Sequence, residues 1–380
     1  MARDARFLTR AQRVVSRRFD HPVSLSATGR LAAPVFLGAL PLAVLVLVVY
    51  RQYATGFVAV DFHNVYYPAA HNIIDGLSPY AEAPNRWVAY VPYTPVVAIL
   101  VVPLTVLPVG VAQVIASLAL LACFVATPYV LGVSDWRVVG VMLLWASFVS
   151  GLQTANVTFL LGLLCAFAWR WRHRRMAPGI VVGLAIGLKL FLWPMALWLL
   201  ATRRLAASLT ASFIAGVSVM LIPLFVDPDA YLRLLREHTA FFADESYTLF
   251  ALLVGIGAPD WLATTVWLGV GLFILVWGRK SFILCLAAAL ALSPIVWLHY
   301  FALLAVPLAI AGAPLLLWAV PILLWLAPGF ENGGTIDQLL VLTVVVLTFA
   351  VCYRRTAGLA SGHERHRWLH GVRPATDTEL

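Results

Sequence analysis

The residues best suited to chemistry lie in a polar and aromatic segment between long apolar stretches. It runs from Val60 to Pro95 and reads VDFHNVYYPAAHNIIDGLSPYAEAPNRWVAYVPYTP. Asp61 follows the first apolar run, so its carboxylate is predicted to lie at the rim of a bilayer, where acids are energetically expensive and usually functional. Capping of a short helix over 62–70 is its alternative role. The neighbouring Tyr66 and Tyr67 favour a functional site.

Polar residues that are out of place in lipid occur in three further apolar segments. Gln153 and Asn156 lie close together in LQTAN. Lys189 lies in AIGLKLFLWP and His299 in SPIVWLHY. The first two could serve as interhelical hydrogen-bonding groups, and His299 as an interfacial side chain. Lys189 has no acid near it in the sequence, and an unpaired ammonium at that depth is costly, which favours a phosphate or other anion as its partner over snorkelling.

The second long polar segment, VDPDAYLRLLREHTAFFADESYT, has the apolar spacing of a short amphipathic helix. Such a helix is predicted to lie on the membrane surface. Arg233 and Arg236 on its polar face could bind phosphate or sugar hydroxyls. A solvated helix face explains these two arginines equally well.

A glycosylation acceptor pattern occurs at Asn156-Val157-Thr158. An acceptor asparagine belongs in an exposed loop. Because this tripeptide adjoins an apolar span, we interpret the match as chance.

The elements that hold these residues are predicted to be membrane helices. The chain is 62% hydrophobic and 11% charged, with a mean hydropathy of +0.91, which indicates a polytopic all-α membrane protein. The net charge of +9 comes from short basic clusters between apolar spans, which orient a chain in the membrane and do not indicate nucleic-acid binding. The cysteines fall within apolar segments without metal-ligand spacing, so no disulfide, metal or cofactor is expected.

The basic clusters also predict the topology. A hydrocarbon core of about 30 Å requires roughly 20 helical residues. The preference of basic residues for the cytoplasmic side places four clusters there: Arg170–Arg175, Arg203–Arg204, Arg279–Lys280 and Arg354–Arg355. This placement imposes two conditions. Residues 95–108 must form a membrane-surface or re-entrant helix, and residues 179–200 must form two short crossings broken near Lys189. The count is then twelve spans in the plasma membrane, with both termini cytoplasmic and most acids extracytoplasmic.

The predicted domain organisation follows from this topology. Residues 1–30 form a basic cytoplasmic arm, residues 31–355 the transmembrane domain and residues 356–380 a disordered cytoplasmic tail. The first external loop covers residues 51–108 and the second covers 227–248. We expect the polar residues to gather on the extracytoplasmic side.

Six motifs occur in order along the chain. They are D-F-x-x-V-Y-Y-x-A-A from Asp61, D-G-x-x-P-Y, Y-x-P-Y-T-P, Q-x-x-N, G-x-x-x-G-L-A-x-G-L-K ending at Lys189, and L-S-P-I-x-W-x-H ending at His299. This set resembles glycosyltransferase family 87, whose members are polyprenyl-phosphate-mannose-dependent α-(1→2)-mannosyltransferases with the GT-C fold. The resemblance covers about residues 31–355. A Y-P-P motif of that family appears here as V-P-Y-T-P.

The resemblance implies a reaction and roles for these residues. A sugar would pass, with inversion, from a polyprenyl-phosphate donor to a glycan or glycolipid acceptor on the extracytoplasmic face. Asp61 would be the general base, while Lys189 and His299 would bind the phosphate of the sugar donor. Substrate-binding roles are expected for Tyr66, Tyr67, Gln153, Asn156, Arg233 and Arg236. Flat surfaces for sugar rings are expected from Trp87, Tyr90 and Tyr93.

Two other classes of membrane protein share this composition. A transporter or flippase for lipid-linked sugars would show internal pseudo-symmetry between its halves, and no repeat is visible in the sequence. An enzyme of the O-antigen ligase or polymerase type would carry its largest external loop late in the chain. Here the longest external loop is the first.

Overall fold

The structure is a computed structural model that describes residues 34–55, 58–81, 89–90, 93–327 and 334–369. Over these ranges the chain forms helices and turns without any strand, which confirms the predicted all-α class. The predicted basic arm lies outside the described residues.

The α-helices are numbered here in chain order. They are α1 (Leu40–Thr55), α2 (Tyr67–Ile74), α3 (Pro95–Val101), α4 (Val109–Val130), α5 (Trp136–Leu143), α6 (Ala146–Thr154), α7 (Thr158–Arg170), α8 (Ala177–Leu188), α9 (Pro194–Ala201), α10 (Leu205–Met220), α11 (Pro228–Phe242), α12 (Leu249–Gly255), α13 (Asp260–Gly278), α14 (Phe282–Ala291), α15 (Ala305–Ile310), α16 (Leu315–Ala319) and α17 (Thr335–Leu369). Short π-helical or 3₁₀ segments extend or link them at Val35–Ala39, Phe62–Tyr66, Val102–Val106, Leu190–Leu192, Ile222–Leu224, Leu298–Leu304 and Val320–Leu326.

Four helices are long and apolar enough to cross a membrane. They are α4, α10 with the turn that follows it, α13, and α17 as far as Gly358. Helices α5 and α6 meet at a bend of 70° and pass the same test together, which gives up to five spans among the described residues. Several further apolar helices have 10–17 residues. A polytopic membrane protein accounts for this pattern, and the number of twelve spans stays a prediction.

The last helix extends into the segment predicted to form the tail. Helix α17 continues beyond Arg355 to Leu369, so residues 356–369 are helical. No proline interrupts the sequence before Pro374, which removes the strongest local signal for ending the helix earlier. Residues after 369 lie outside the described ranges.

Close packing of α8 against α10 fixes the segment that leads to Lys189. Gly179, Gly183 and Gly187 recur every four residues along α8 and face α10. A Cβ atom at Gly179 would overlap the backbone carbonyl of Ala207, and one at Gly183 would lie 2.8 Å from the Cβ atom of Ile214. Small residues at such a stripe let two helix backbones approach closely. The position of the C-terminal end of α8 therefore depends on this contact.

Replacing Gly179 with alanine should destabilise the protein by about 1–3 kcal/mol, because the added methyl group meets backbone that cannot move aside. Gly216 in α10 offers a matched control, since nothing lies within 4 Å of the position that an added methyl group would take there. Gly216→Ala should leave stability unchanged or slightly raised. Thermal unfolding of both purified variants in the same detergent tests this. Equal Tm values for the two would contradict the packing argument.

Candidate active site

Four of the five polar residues singled out in the sequence lie where helices are interrupted, whereas Gln153 lies within α6. Asp61 precedes the π-helical turn, and Asn156 lies in the gap between α6 and α7. Lys189 has extended backbone between α8 and the next 3₁₀ turn, and His299 lies within the 3₁₀ segment before α15. Irregular backbone at membrane depth is tolerated where protein buries it or where it lines a cavity. These interruptions are therefore suited to a polar interior.

Asp61 and Asn156 form the central contact of the site. The Nδ2 atom of Asn156 donates to Oδ2 of Asp61 over 2.7 Å. The Oδ1 atom of Asn156 accepts from the backbone N–H of Thr158 over 3.1 Å and from its hydroxyl over 2.7 Å. Because Oδ1 is already occupied by donors, the amide must turn its NH₂ group to the carboxylate. Asn156, which is 1% exposed, thus holds Asp61 in one orientation.

Two tyrosines complete this hydrogen-bond network. The Nδ2 atom of Asn156 lies 3.2 Å from the hydroxyl oxygens of both Tyr66 and Tyr93. Tyr66 donates its hydroxyl proton to the hydroxyl of Tyr93 over 2.9 Å, and the two rings meet edge to face with centroids 5.0 Å apart. Tyr80 donates to the carbonyl of Tyr93 over 3.0 Å. The segment between α1 and α3 is therefore fastened to the gap between α6 and α7.

Lys189 is buried above two aromatic rings. Its Nζ atom lies 3.9 Å from the ring centroid of Tyr300 and 5.2 Å from that of Tyr93, within the range of cation–π attraction. The side chain is 4% exposed. Among the described residues it donates no hydrogen bond and forms no contact ion pair, although its charge acts on Asp61. The ammonium N–H groups are thus free to bind an anion.

His299 lies beside the same tyrosine. Its ring centroid is 5.1 Å from that of Tyr300, and the side chain is 3% exposed. Within the described part of the chain neither ring nitrogen has a hydrogen-bond partner. Buried polar groups are almost always paired, so an unpaired imidazole next to a buried ammonium is a candidate for contact with a substrate.

Asp61 has the electrostatic environment of a base. Burial raises the pKa of its carboxyl group above the ordinary value of 3.8, while the hydrogen bond from Asn156 and the charge of Lys189 hold this rise back. The side chain is only partly buried, and the bond from Asn156 engages Oδ2. Tyr66 also acts on this carboxylate and holds back the rise of its pKa. A carboxylate with a raised pKa takes up a proton more readily than an ordinary aspartate does.

Backbone strain occurs two residues before Asp61 and directly before Asn156. Ala59 has φ of 51° and Ala155 has φ of 47°, in the left-handed region that residues other than glycine seldom adopt. Both alanines are buried. Strained backbone of this kind concentrates at functional sites because the surrounding structure must impose it. Here the left-handed backbone sets the direction in which the side chains of Asp61 and Asn156 point.

The segment between α1 and α3 is also tied to α8, the helix that ends next to Lys189. The buried hydroxyl of Thr94 donates to the carbonyl of Gly187. Gly187 lies two residues before Lys189 at the end of α8. One loop thus contacts both the carboxylate side and the ammonium side of the site.

Other residues expected to bind substrate lie apart from this network. Tyr67 donates its hydroxyl to the carbonyl of Leu107 over 2.8 Å and packs against His71. Gln153 is partly exposed on α6 and forms no side-chain hydrogen bond with a described residue. Tyr90 donates to the carbonyl of Thr94 and so supports the loop. Trp87 lies outside the described residues.

Arg233 and Arg236 are exposed on α11, which begins beside the first loop where Tyr231 packs on Tyr80 with ring centroids 5.3 Å apart. Arg236 borders a groove of about 410 Å³. The other lining residues are mostly apolar and come from α11 and the residue after it, from α12 and α13, and from the segment after α14: Leu235, Thr239, Ala240, Ala243, Phe250, Thr264, Trp267 and Pro294.

Two residues of the site were missed in the sequence. Thr158 forms the pattern Asn156-Val157-Thr158, and an asparagine whose side chain bonds to the backbone two residues later is the mark of an Asx turn. Because Asn156 is buried, it cannot accept a glycan, and the interpretation of that match as chance agrees with the structure. Tyr300, which lies under Lys189, follows His299 directly. The sequence indicated Tyr300 only through its position next to His299.

Comparison with known proteins identifies the family. The sequence model of glycosyltransferase family 87 matches residues 90–292, which is more than half of the chain. The match includes Asn156 and Lys189, whereas Asp61 and His299 lie outside it. No curated protein and no solved structure matches the chain. The family assignment confirms the resemblance seen in the motifs and favours a transferase over a transporter. The chain belongs to glycosyltransferase family 87 and is a membrane glycosyltransferase.

Proposed function

We propose that this enzyme transfers mannose from a polyprenyl-phosphate donor to a hydroxyl group of a glycan or glycolipid, with inversion and an α-(1→2) linkage, within a GT-C fold. The observation that supports the proposal best is the partly buried carboxylate of Asp61, oriented by Asn156 and acted on by the charge of Lys189. A lipid-linked phosphate is already an activated leaving group. The enzyme then needs a base, a cation for the phosphate and a groove for the lipid.

In the proposed reaction, Asp61 accepts the proton of the acceptor hydroxyl while the oxygen of that hydroxyl forms a bond to C1 of the sugar. The bond between C1 and the phosphate oxygen breaks, and the phosphate leaves with the electron pair. The sugar passes through an oxocarbenium-like state, as in inverting glycoside chemistry. Lys189 stabilises the charge that grows on the phosphate, and a ring N–H of His299 donates to the same group.

The groove beside Arg236 supports the lipid part of this proposal. It is lined chiefly by apolar side chains, with a cation at its border. An isoprenoid chain fits apolar walls, and Arg236 and Arg233 on the exposed face of α11 suit the phosphate or the sugar hydroxyls. Trp297, two residues before His299, contacts Phe242 of α11 with ring centroids 5.4 Å apart.

The positions of the basic clusters support an extracytoplasmic active site. Helices α8 and α9 have arginines at their ends remote from Lys189, namely Arg172 before α8 and Arg204 after α9. Arginine-rich connections favour the cytoplasmic side. Lys189, at the opposite end of both helices, is then assigned to the extracytoplasmic half, together with Asp61 and His299.

A transfer assay tests the proposed function. Purified full-length protein in nanodiscs is incubated with a short-chain polyprenyl phosphomannose and a panel of mannosyl acceptors, and products are separated by mass. We expect a product one hexose larger than its acceptor and linked α-(1→2). Turnover of a different lipid-linked sugar instead would overturn the assignment of mannose, and turnover of a nucleotide sugar would overturn the lipid donor.

Asn156→Ala should move the acid limb of the rate profile to higher pH. The bond from Asn156 lowers the pKa of Asp61, so its loss lets burial raise that pKa further. Because the base must be ionised, activity falls as the pH drops through this pKa, and the variant should lose activity at a less acidic pH than the wild type. The dependence of kcat/KM on pH measures the shift.

Gln153→Ala provides the control for this experiment. Gln153 is the nearby amide on α6, and it makes no bond to Asp61. The acid limb of the pH–rate profile of Gln153→Ala should coincide with that of the wild type, even where KM changes. An unchanged acid limb in Asn156→Ala would show that Asn156 does not set the protonation of the base.

A further inference from the structure

Six arginines gather at the ends of α7 and α9, remote from Lys189. They lie in the α7–α8 and α9–α10 connections and are called here the arginine cluster: Arg170, Arg172, Arg174, Arg175, Arg203 and Arg204. Neither connection contains an acid. The cluster therefore has no counter-charge within its own loops.

Aromatic contacts bring the two connections together. Trp169 of α7 and Trp198 of α9 both pack on Phe282, with ring centroids 5.4 and 4.8 Å from it. The Cζ atom of Arg172 lies 4.3 Å from the ring centroid of Trp169, and that of Arg204 lies 4.8 Å from the ring centroid of Trp198. Two guanidinium groups are thus held on tryptophans that flank a single phenylalanine.

This arrangement places like charges close to each other. Burial lowers the pKa of Arg172, and the charges of Arg204 and Arg170 lower it further, which reflects their proximity. Arg172 donates one Nη1–H to the carbonyl of Trp169 over 2.9 Å. The Nη1 atom of Arg204 is buried and has no hydrogen-bond partner among the described residues. A buried N–H without an acceptor is costly unless something else supplies one.

The preference of cations for the cytoplasmic side does not explain these details. That tendency requires only basic residues in the connections, and exposed side chains such as Arg174 and Arg175 satisfy it. It gives no reason for two arginines to stack on neighbouring tryptophans, or for one guanidinium nitrogen to be buried without an acceptor. An anion between Arg172 and Arg204 accounts for both observations.

We propose that the arginine cluster binds the phosphate of an anionic bilayer lipid, with Arg172 and Arg204 as its principal contacts. Trp169, Trp171 and Trp198 are of the residue type that lies at the level of lipid headgroups. The planar guanidinium matches phosphate oxygens in a bidentate manner. Basic pockets between membrane helices suit anionic headgroups in the same way. This site is separate from the sugar-transfer site and does not depend on the proposed transfer reaction.

Retention of lipid by the purified full-length protein tests this proposal. The protein is delipidated in detergent, titrated with dioleoyl phosphatidylglycerol or dioleoyl phosphatidylcholine, and examined by native mass spectrometry. We expect preferential retention of phosphatidylglycerol. Arg172→Gln/Arg204→Gln should weaken that retention roughly tenfold or more, given the contribution of each cation near an anionic surface.

Matched variants separate a built site from a general electrostatic effect. Lys280→Gln/Arg354→Gln removes the same charge from two exposed positions elsewhere and should leave retention within about twofold of the wild type. Arg172→Lys/Arg204→Lys keeps the charge but loses the planar geometry, so it should also bind more weakly. If the glutamine variant does not fold, the lysine variant tests whether the guanidinium groups are required for lipid binding.

Three outcomes would overturn the proposal. They are equal retention of the two lipids, equal losses in the cluster variant and the Lys280/Arg354 control, or full displacement of phosphatidylglycerol by millimolar inorganic phosphate. The last result would show a site for free phosphate and not for a lipid headgroup.

Discussion

Asp61→Asn should lower kcat/KM for sugar transfer by about 10³-fold, within the range of 10²–10⁴ that general bases contribute. The substitution preserves size and shape but removes the negative charge that we propose accepts the proton of the acceptor hydroxyl. It leaves the contact between the rings of Tyr66 and Tyr93 untouched, so the purified variant should fold and still bind the lipid-linked sugar. Initial rates at saturating donor, with donor binding measured separately, distinguish loss of chemistry from loss of binding.

Asp75→Asn is the matched control for this substitution. Asp75 lies in the same segment between α1 and α3, at the end of α2, and is exposed. Its replacement should leave the rate near that of the wild type. Activity of Asp61→Asn within about threefold of the wild type would remove Asp61 as the base. Unmeasurable donor binding in that variant would instead assign Asp61 a binding role.

Lys189→Met should weaken binding of the lipid-linked sugar about 10- to 100-fold, as expected for loss of a charge-assisted hydrogen bond. Methionine is an unbranched side chain only one atom shorter, and it removes the ammonium that lies over the aromatic rings of Tyr93 and Tyr300. The donor phosphate then lacks a buried cation in the ground state and in the transition state. Equilibrium binding of a fluorescent polyprenyl phosphosugar measures the effect.

The chain contains one other lysine, which serves as the control. Lys280 is exposed after α13, and Lys280→Met should bind the lipid-linked sugar as the wild type does. Unchanged donor binding in Lys189→Met would end the assignment of Lys189 to the phosphate. A reduced maximal rate without weaker binding would place its effect in the transition state alone.

The sequence predicted the break near Lys189 because placing the basic clusters on the cytoplasmic side requires two short crossings in residues 179–200. The same topology predicted that Asp61, Gln153, Asn156, Lys189 and His299 would gather on one side of the membrane. The structure brings Asp61, Asn156, Lys189 and His299 into one neighbourhood through the rings of Tyr93 and Tyr300. Gln153 lies apart from them. Their catalytic roles stay predictions.

The detailed geometry could not be predicted, because it depends on features without a sequence signal. The left-handed conformation of Ala155 directs Asn156 to Asp61, and alanine gives no indication of such backbone. Tyr300 is of a residue type that is common at membrane interfaces, and only the fold places it under Lys189. Tyr67, in contrast, adjoins Tyr66 in the sequence, but its hydroxyl bonds to Leu107, remote from the network.

The bond from Thr94 to the carbonyl of Gly187 bears on the order of events in a catalytic cycle. The loop that carries Tyr93 next to the carboxylate is fastened to the helix end that carries the ammonium. Opening that loop to release a lengthened glycan must either break this buried bond or shift the segment at Lys189. The two substrate sites are therefore not mechanically independent. We expect steady-state kinetics of the sequential type, in which both substrates are bound before either product departs.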